Sequence, residues 1–122
     1  MLRGEPITIH GDGRQTCDFV YVDDVVDAWM RVVDDAATFG RVLNVGSGRE
    51  TSVNELADAV LGAFGQSRAT WEIRVEPAQL GDQRRAAADT AELQALGWAA
   101  RATLSEGMTR AVEWARTLSP MS

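Results

Sequence analysis

All twelve basic residues of this chain are arginine, which excludes every mechanism that needs a lysine, whether a Schiff base or the lysine of a phosphate-binding loop. Histidine, cysteine and tyrosine occur once each, as His10, Cys17 and Tyr21. His10 stands at a strand end without a carboxylate or serine fixed beside it in the sequence, so it reads as structural rather than as a general base. Cys17 lies in an alternating strand and reads as a small apolar filler, because Asp18 next to it works against a thiolate. One cysteine makes no internal disulfide, and with a single histidine it builds no zinc site. Tyr21 reads as a strand residue.

A strand followed by Gly46-Ser47-Gly48 and a capped helix invites a dinucleotide reading, with Glu72 on the next strand as the ribose acid. The third glycine position holds Thr51, which departs from that fingerprint. The glycine pair therefore reads as an ordinary strand-to-helix turn, and no NAD binding by residues 41–75 is expected.

The elements that must hold these residues follow from periodicity. Gly11 and Gly13 flank Asp12 in a tight turn, with strands over 5–9 and 17–22 on either side, which predicts a hairpin. Asp23 or Asp24 is placed to accept N–H bonds from the first turn of a helix running to about Ala36. Val22, Val25, Val26, Trp29, Val32 and Val33 form its apolar stripe; Asp23, Asp27, Arg31, Asp34 and Asp35 form its solvated face. Gly40 stops it, and Arg41 to Val45 reads as a short apolar strand. Ser52 and Glu55 make a capping box for a helix from Val53 to Phe64, closed by Gly65. Thr70 to Val75 reads as a strand ended by Pro77, and 78–88 as loop or extended chain. Thr90 caps a short helix to Leu96, ended by Gly97. Thr103 and Glu106 cap a last helix to about Leu118, with Leu104, Met108, Ala111, Val112, Ala115 and Leu118 inward. The fold class is mixed α/β, a single domain over 1–122 with about four short strands and four helices, three of the strands in a small sheet.

The totals are those of an ordinary globular chain: 45% hydrophobic, 25% charged and net charge −6. Residues 1–60 hold eleven acids against five arginines, whereas 61–122 hold seven of each. This acidic first half argues against nucleic acid or an anionic membrane as a partner. No apolar run approaches the roughly 18 residues that span a bilayer, and no secretory signal is visible, so the cytoplasm is the expected compartment.

Six segments carry a resemblance when taken in order: GEPITIHGDG, CDFVYVDDVVDA, LNVGSGRETSVNELA, the LGDQRR segment, the Ala88-Asp89 to Leu96-Gly97-Trp98 stretch, and TLSEGMTRAVEW. Together they resemble the C-terminal, substrate-binding part of the NAD-dependent epimerase/dehydratase family, the extended short-chain dehydrogenases typified by UDP-glucose 4-epimerase. The resemblance implies that the Rossmann sheet, the NAD glycine motif and the Tyr/Lys/Ser catalytic set belong to a region preceding these residues. The family's catalytic tyrosine has lysine four residues on, and four after Tyr21 stands Val25. Met1 accordingly looks like a truncation point, with the front half lost or carried on a separate polypeptide. No cofactor is expected on this chain alone, although NAD serves the full-length family.

The same resemblance implies a role for this region in holding the nucleotide diphosphate of a sugar substrate, with two arginines gripping the phosphates. Cys17 stands where a GDGxQxRDF pattern has its arginine, and Gln79 stands where an RPGD-like pattern has the second. Phe19 keeps the aromatic after the first acid, and Asp82 keeps the acid that contacts the nucleoside. Arg14, Arg84 or Arg85 could substitute for the lost charge. The candidate substrate-binding residues are therefore Cys17, Phe19, Gln79, Asp82 and Arg85. Losing two charge-assisted contacts of about 1.5–3 kcal/mol each would weaken binding by roughly 10² to 10⁴, so poor affinity for UDP-sugars is expected.

Two functions follow as expectations. One is the nucleotide-sugar-binding part of an epimerase or dehydratase, inert alone and completed by an NAD-binding half. The other is a free-standing oligomerisation or binding module, self-associating through the Val22–Val33 helix and the 41–45 segment.

Overall fold

The Gly11–Gly13 turn does not close a hairpin. In the computed structural model, which describes residues 1–81 and 84–118, β1 (Ile7–His10) pairs with β4 (Ile73–Glu76), and the pairing is parallel, from Ile7 opposite Ile73 to His10 opposite Glu76. β2 (Thr16–Cys17) pairs instead with β3 (Thr51–Ser52), antiparallel. What diverts the chain is helix α2 (Val53–Ala63), whose first residues take up the backbone of the turn: Val53 N–H donates to the Gln15 carbonyl and Asn54 N–H to the Gly13 carbonyl, both at 3.0 Å. The Asn54 amide also donates to the Asp12 carbonyl at 3.0 Å, and a Cβ on Gly13 would lie 2.6 Å from that amide nitrogen. The turn itself forms as its residues dictate, with positive φ at Gly11 and Gly13 and the Asp12 carboxylate accepting from Arg14 N–H at 2.9 Å.

Two two-stranded ladders thus replace the small three-stranded sheet expected from the sequence. The parallel ladder needs a crossover, and α2 lies within it. Its capping box is complete: Ser52 Oγ accepts from Glu55 N–H at 3.1 Å, and the Glu55 carboxylate accepts from Ser52 N–H at 2.7 Å. Gly65 follows at φ 68°. The reciprocal pair Thr103 and Glu106 opens α4 (Leu104–Leu118) in the same way, with bonds of 2.8 and 3.2 Å.

Helix α1 (Val22–Val32) is shorter than its periodicity predicts and is followed by a 3₁₀ turn at Ala36–Thr38. Neither Asp23 nor Asp24 caps it. Asp24 is buried and accepts from Ala102 N–H at 3.0 Å, while its carbonyl takes the indole N–H of Trp98 at 3.1 Å. Ala28, Leu93 and Trp98 form the buried centre, packed by Val32, Leu43, Val45, Leu96 and Ala100. The buried face of α1 is therefore the Asp24–Ala28 side. Of the expected apolar stripe, Val22, Val26, Trp29 and Val33 are exposed, Trp29 to 66%.

Residues 41–45 make no strand pairing among the described residues, which corrects the expected strand; Val42 there is 87% exposed. The short helix α3 (Ala91–Ala95) follows Thr90, but the Thr90 hydroxyl accepts from the Gln94 amide, and Asp89 takes the first helical N–H. On α4, Val112 is buried whereas Trp114 and Leu118 are exposed.

Candidate functional site

One carboxylate joins three segments that are distant in sequence. Asp18, directly after β2, accepts from Ser47 N–H at 2.7 Å and Ser47 Oγ at 2.6 Å on one oxygen. On the other it accepts from Gly48 N–H at 2.9 Å and Ala88 N–H at 3.2 Å. Burial pushes the carboxyl up, and the bonds from Ser47, Ala88 and Gly48 outweigh it, leaving its pKa below the ordinary value. The glycine pair serves this junction. A Cβ on Gly46 would come within 2.6 Å of both the Asp18 carboxylate and the Ala88 methyl, and Gly48 has φ 72°. Glu72, considered above as a ribose acid, stands just before β4, with its carboxylate on Arg74 Nε at 2.7 Å.

A third strand-like segment lies against β2. Thr16 bridges Arg85 in parallel register, with Thr16 N–H on the Arg84 carbonyl and Ala86 N–H on the Thr16 carbonyl, both at 3.0 Å. This brings Arg85 beside the strand that carries Cys17. The Arg85 guanidinium grips Glu50, with Nη2 to Oε1 at 2.7 Å and Nε to Oε1 and Oε2 at 3.1 and 3.2 Å. The hydrogen bond from Arg85 holds the Glu50 carboxyl below its ordinary range, and the reciprocal bond raises the guanidinium.

Of the five candidate substrate-binding residues, the structure therefore brings Cys17 and Arg85 onto neighbouring strands. Gln79 is exposed on the loop after β4, next to Ala78, whose Cβ lies 3.3 Å from where a Gly11 Cβ would stand. Asp82 lies outside the described residues. Phe19 lines an open groove of about 650 Å³ with Tyr21, Leu104, Met108, Ala111 and Trp114, which Cys17, Gln79 and Arg85 do not line. Arg110 lies over the Tyr21 ring at its edge, 5.5 Å from the centroid.

His10 does have a carboxylate beside it: β4 places Glu76 opposite, 3.8 Å from Nδ1. Asp18 and Glu50 are the site residues that sequence reading missed. Hydrogen bonds between residues 47–50 and Thr16, Asp18 and Arg85 are what give them partners, and those contacts have no local signature. Among the described residues no cluster of His, Cys, Asp or Glu is set to hold a metal ion, and no helix is long and apolar enough to cross a membrane.

Residues 1–46 match the family model described as the NAD dependent epimerase/dehydratase family. UDP-glucose 4-epimerase of Mycolicibacterium smegmatis is 43% identical over 120 residues, covering 98% of this chain and 37% of that protein. The crystal structure of UDP-glucose 4-epimerase from Thermotoga maritima, solved with UDP-glucose, matches 97% of this chain and 37% of that one, at 36% identity and a TM-score of 0.86. MoeE5 in complex with UDP-glucuronic acid and NAD is similar over 97% of this chain and 39% of its own, at 38% identity and a TM-score of 0.84. The chain spans a little over a third of the length of these proteins. In sequence and in fold it is similar, over nearly all of its length, to a fragment of the NAD dependent epimerase/dehydratase family.

Proposed function

We propose that residues 1–122 are one domain, the C-terminal nucleotide-sugar-binding part of an epimerase or dehydratase of the UDP-glucose 4-epimerase kind. The observation that carries this reading is the close structural likeness, over almost the entire chain, to an epimerase that holds UDP-glucose. The site is the β2 region: Cys17 on the strand, Arg85 on its neighbour, and Gln79 on the loop after β4, with Phe19 leading into α1 and Asp82 included by resemblance alone. NAD and the groups that move hydride and proton are supplied from outside these residues, so the chain is inert alone and works in the cytoplasm with an NAD-binding half.

Arg85 is a cation beside β2, and its charge is matched by Glu50. Affinity for a nucleotide sugar is therefore low. Calorimetric titration with UDP-glucose should give a dissociation constant well above the micromolar range, and micromolar binding would contradict the reading.

A second reading has one observation in its favour. Val22, Val26, Trp29, Met30 and Val33 on α1, with Val42 nearby in sequence, leave an apolar surface exposed. In that reading the chain self-associates through this face as a binding module.

A further inference from the structure

We propose that Glu50 sets the affinity of this site for phosphate groups, acting as a built-in counter-charge that a phosphate must displace from Arg85. The inference rests on the reading of the β2 region as a nucleotide-sugar site, and it concerns how that site is tuned.

A guanidinium presents five N–H donors in a planar fork, and carboxylate and phosphate offer the same spacing of oxygens to one of its edges. Here the Nε–Nη2 edge is taken by Glu50, at 2.7 to 3.2 Å. The Arg85 side chain is nevertheless 76% exposed, so a dissolved anion reaches it. Glu50 is the less accessible partner, at 34%, and its second oxygen also accepts from the Thr16 hydroxyl at 3.4 Å. The carboxylate is thus anchored on the body of the domain while the guanidinium is free to swing.

The neighbouring Arg49 does not take over the role of Arg85. Arg49 faces Glu55 at 3.6 Å rather than Glu50. The backbone beside β2 does not depend on the ion pair either, because Thr16 bonds Arg84 and Ala86 through main-chain atoms alone. Neutralising Glu50 therefore frees the guanidinium without freeing the chain. The anion that competes best is one carrying more charge than a carboxylate on closely spaced oxygens, which is the chemistry of a diphosphate.

The test uses inorganic pyrophosphate and UDP as probes, followed by ¹H–¹⁵N spectra of the whole chain that include the Arg85 Nε–H resonance. Glu50→Gln should bind pyrophosphate about fivefold more tightly than the unaltered chain, the scale of one exposed ion pair removed. Glu50→Ala should show the same rise, and adding Arg85→Gln to either should abolish it. Equal or weaker pyrophosphate binding by both Glu50 variants, or a gain that survives the loss of Arg85, would overturn the proposal. UDP binding no tighter than pyrophosphate in every variant would count against the nucleotide-sugar reading while leaving the Glu50 result standing.

Discussion

Ser47 binds Asp18 twice across 29 residues of sequence, through its N–H at 2.7 Å and its hydroxyl at 2.6 Å. With Gly48 and Ala88 on the other carboxylate oxygen, this is how β2, the glycine turn and the 84–88 segment are held as one unit. A carboxylate that accepts this many bonds stabilises the fold only while it is ionised.

That gives a pH dependence with a definite sign. The folded pKa of Asp18 lies below its ordinary value of 3.8, so its contribution is present above that value and is lost as pH falls through the folded pKa. Glu50, Glu55 and Glu106 are lowered too, each by hydrogen bonds to its partner, and add to the same trend. Asp18→Asn should cost about 2 kcal/mol at neutral pH, a fall of roughly 8 °C in Tm, and should flatten the loss of stability below about pH 4. Thermal melts across pH check both. An Asn variant with an unchanged Tm and an unchanged acid slope would contradict the role given to this carboxylate.

Gly46 and Gly62 should respond to alanine with opposite signs. At Gly46 the new methyl meets Asp18 and Ala88 at 2.6 Å, an overpacking expected to cost about 1–3 kcal/mol. Gly62 lies in α2 with open space around it, and alanine there should add about 0.5–1 kcal/mol of stability. Denaturant midpoints of the two variants test this. A neutral Gly46→Ala would mean that the turn does not close on Asp18.

The apolar face of α1 makes a third expectation. Sedimentation at high micromolar concentration should show self-association, and Trp29→Glu should reduce it at least several-fold by placing a charge in the exposed stripe. A clean monomer would count against the binding-module reading.

Helices and their caps were legible locally, since Ser52 with Glu55 and Thr103 with Glu106 satisfy N–H groups within one turn. Strand pairing was not. Nothing near Gly11 announces that the first turn of α2 will take the Gln15 and Gly13 carbonyls, so an alternating pattern on both sides of a glycine turn looked like a hairpin. The stripe on α1 was read as apolar and as a face that this chain leaves unpacked, and Val22, Val26, Trp29 and Val33 are exposed. Burial went instead to Ala28 and Asp24, the residues that let Trp98 approach. Cys17 and Arg85 were legible as candidates through resemblance alone. Their adjacency depends on main-chain bonds between Thr16 and the 84–86 segment, and the capture of Arg85 by Glu50 on a contact between residues 35 positions apart.

The most direct test is a map of where UDP-glucose binds, from ¹H–¹⁵N chemical shifts of the purified chain titrated into the millimolar range. Saturable shifts should concentrate on residues 14–19, 47–50 and 84–88, with a dissociation constant well above micromolar. Shifts confined to the α4 groove, or none anywhere at saturating nucleotide, would contradict the assignment of this region as a nucleotide-sugar site.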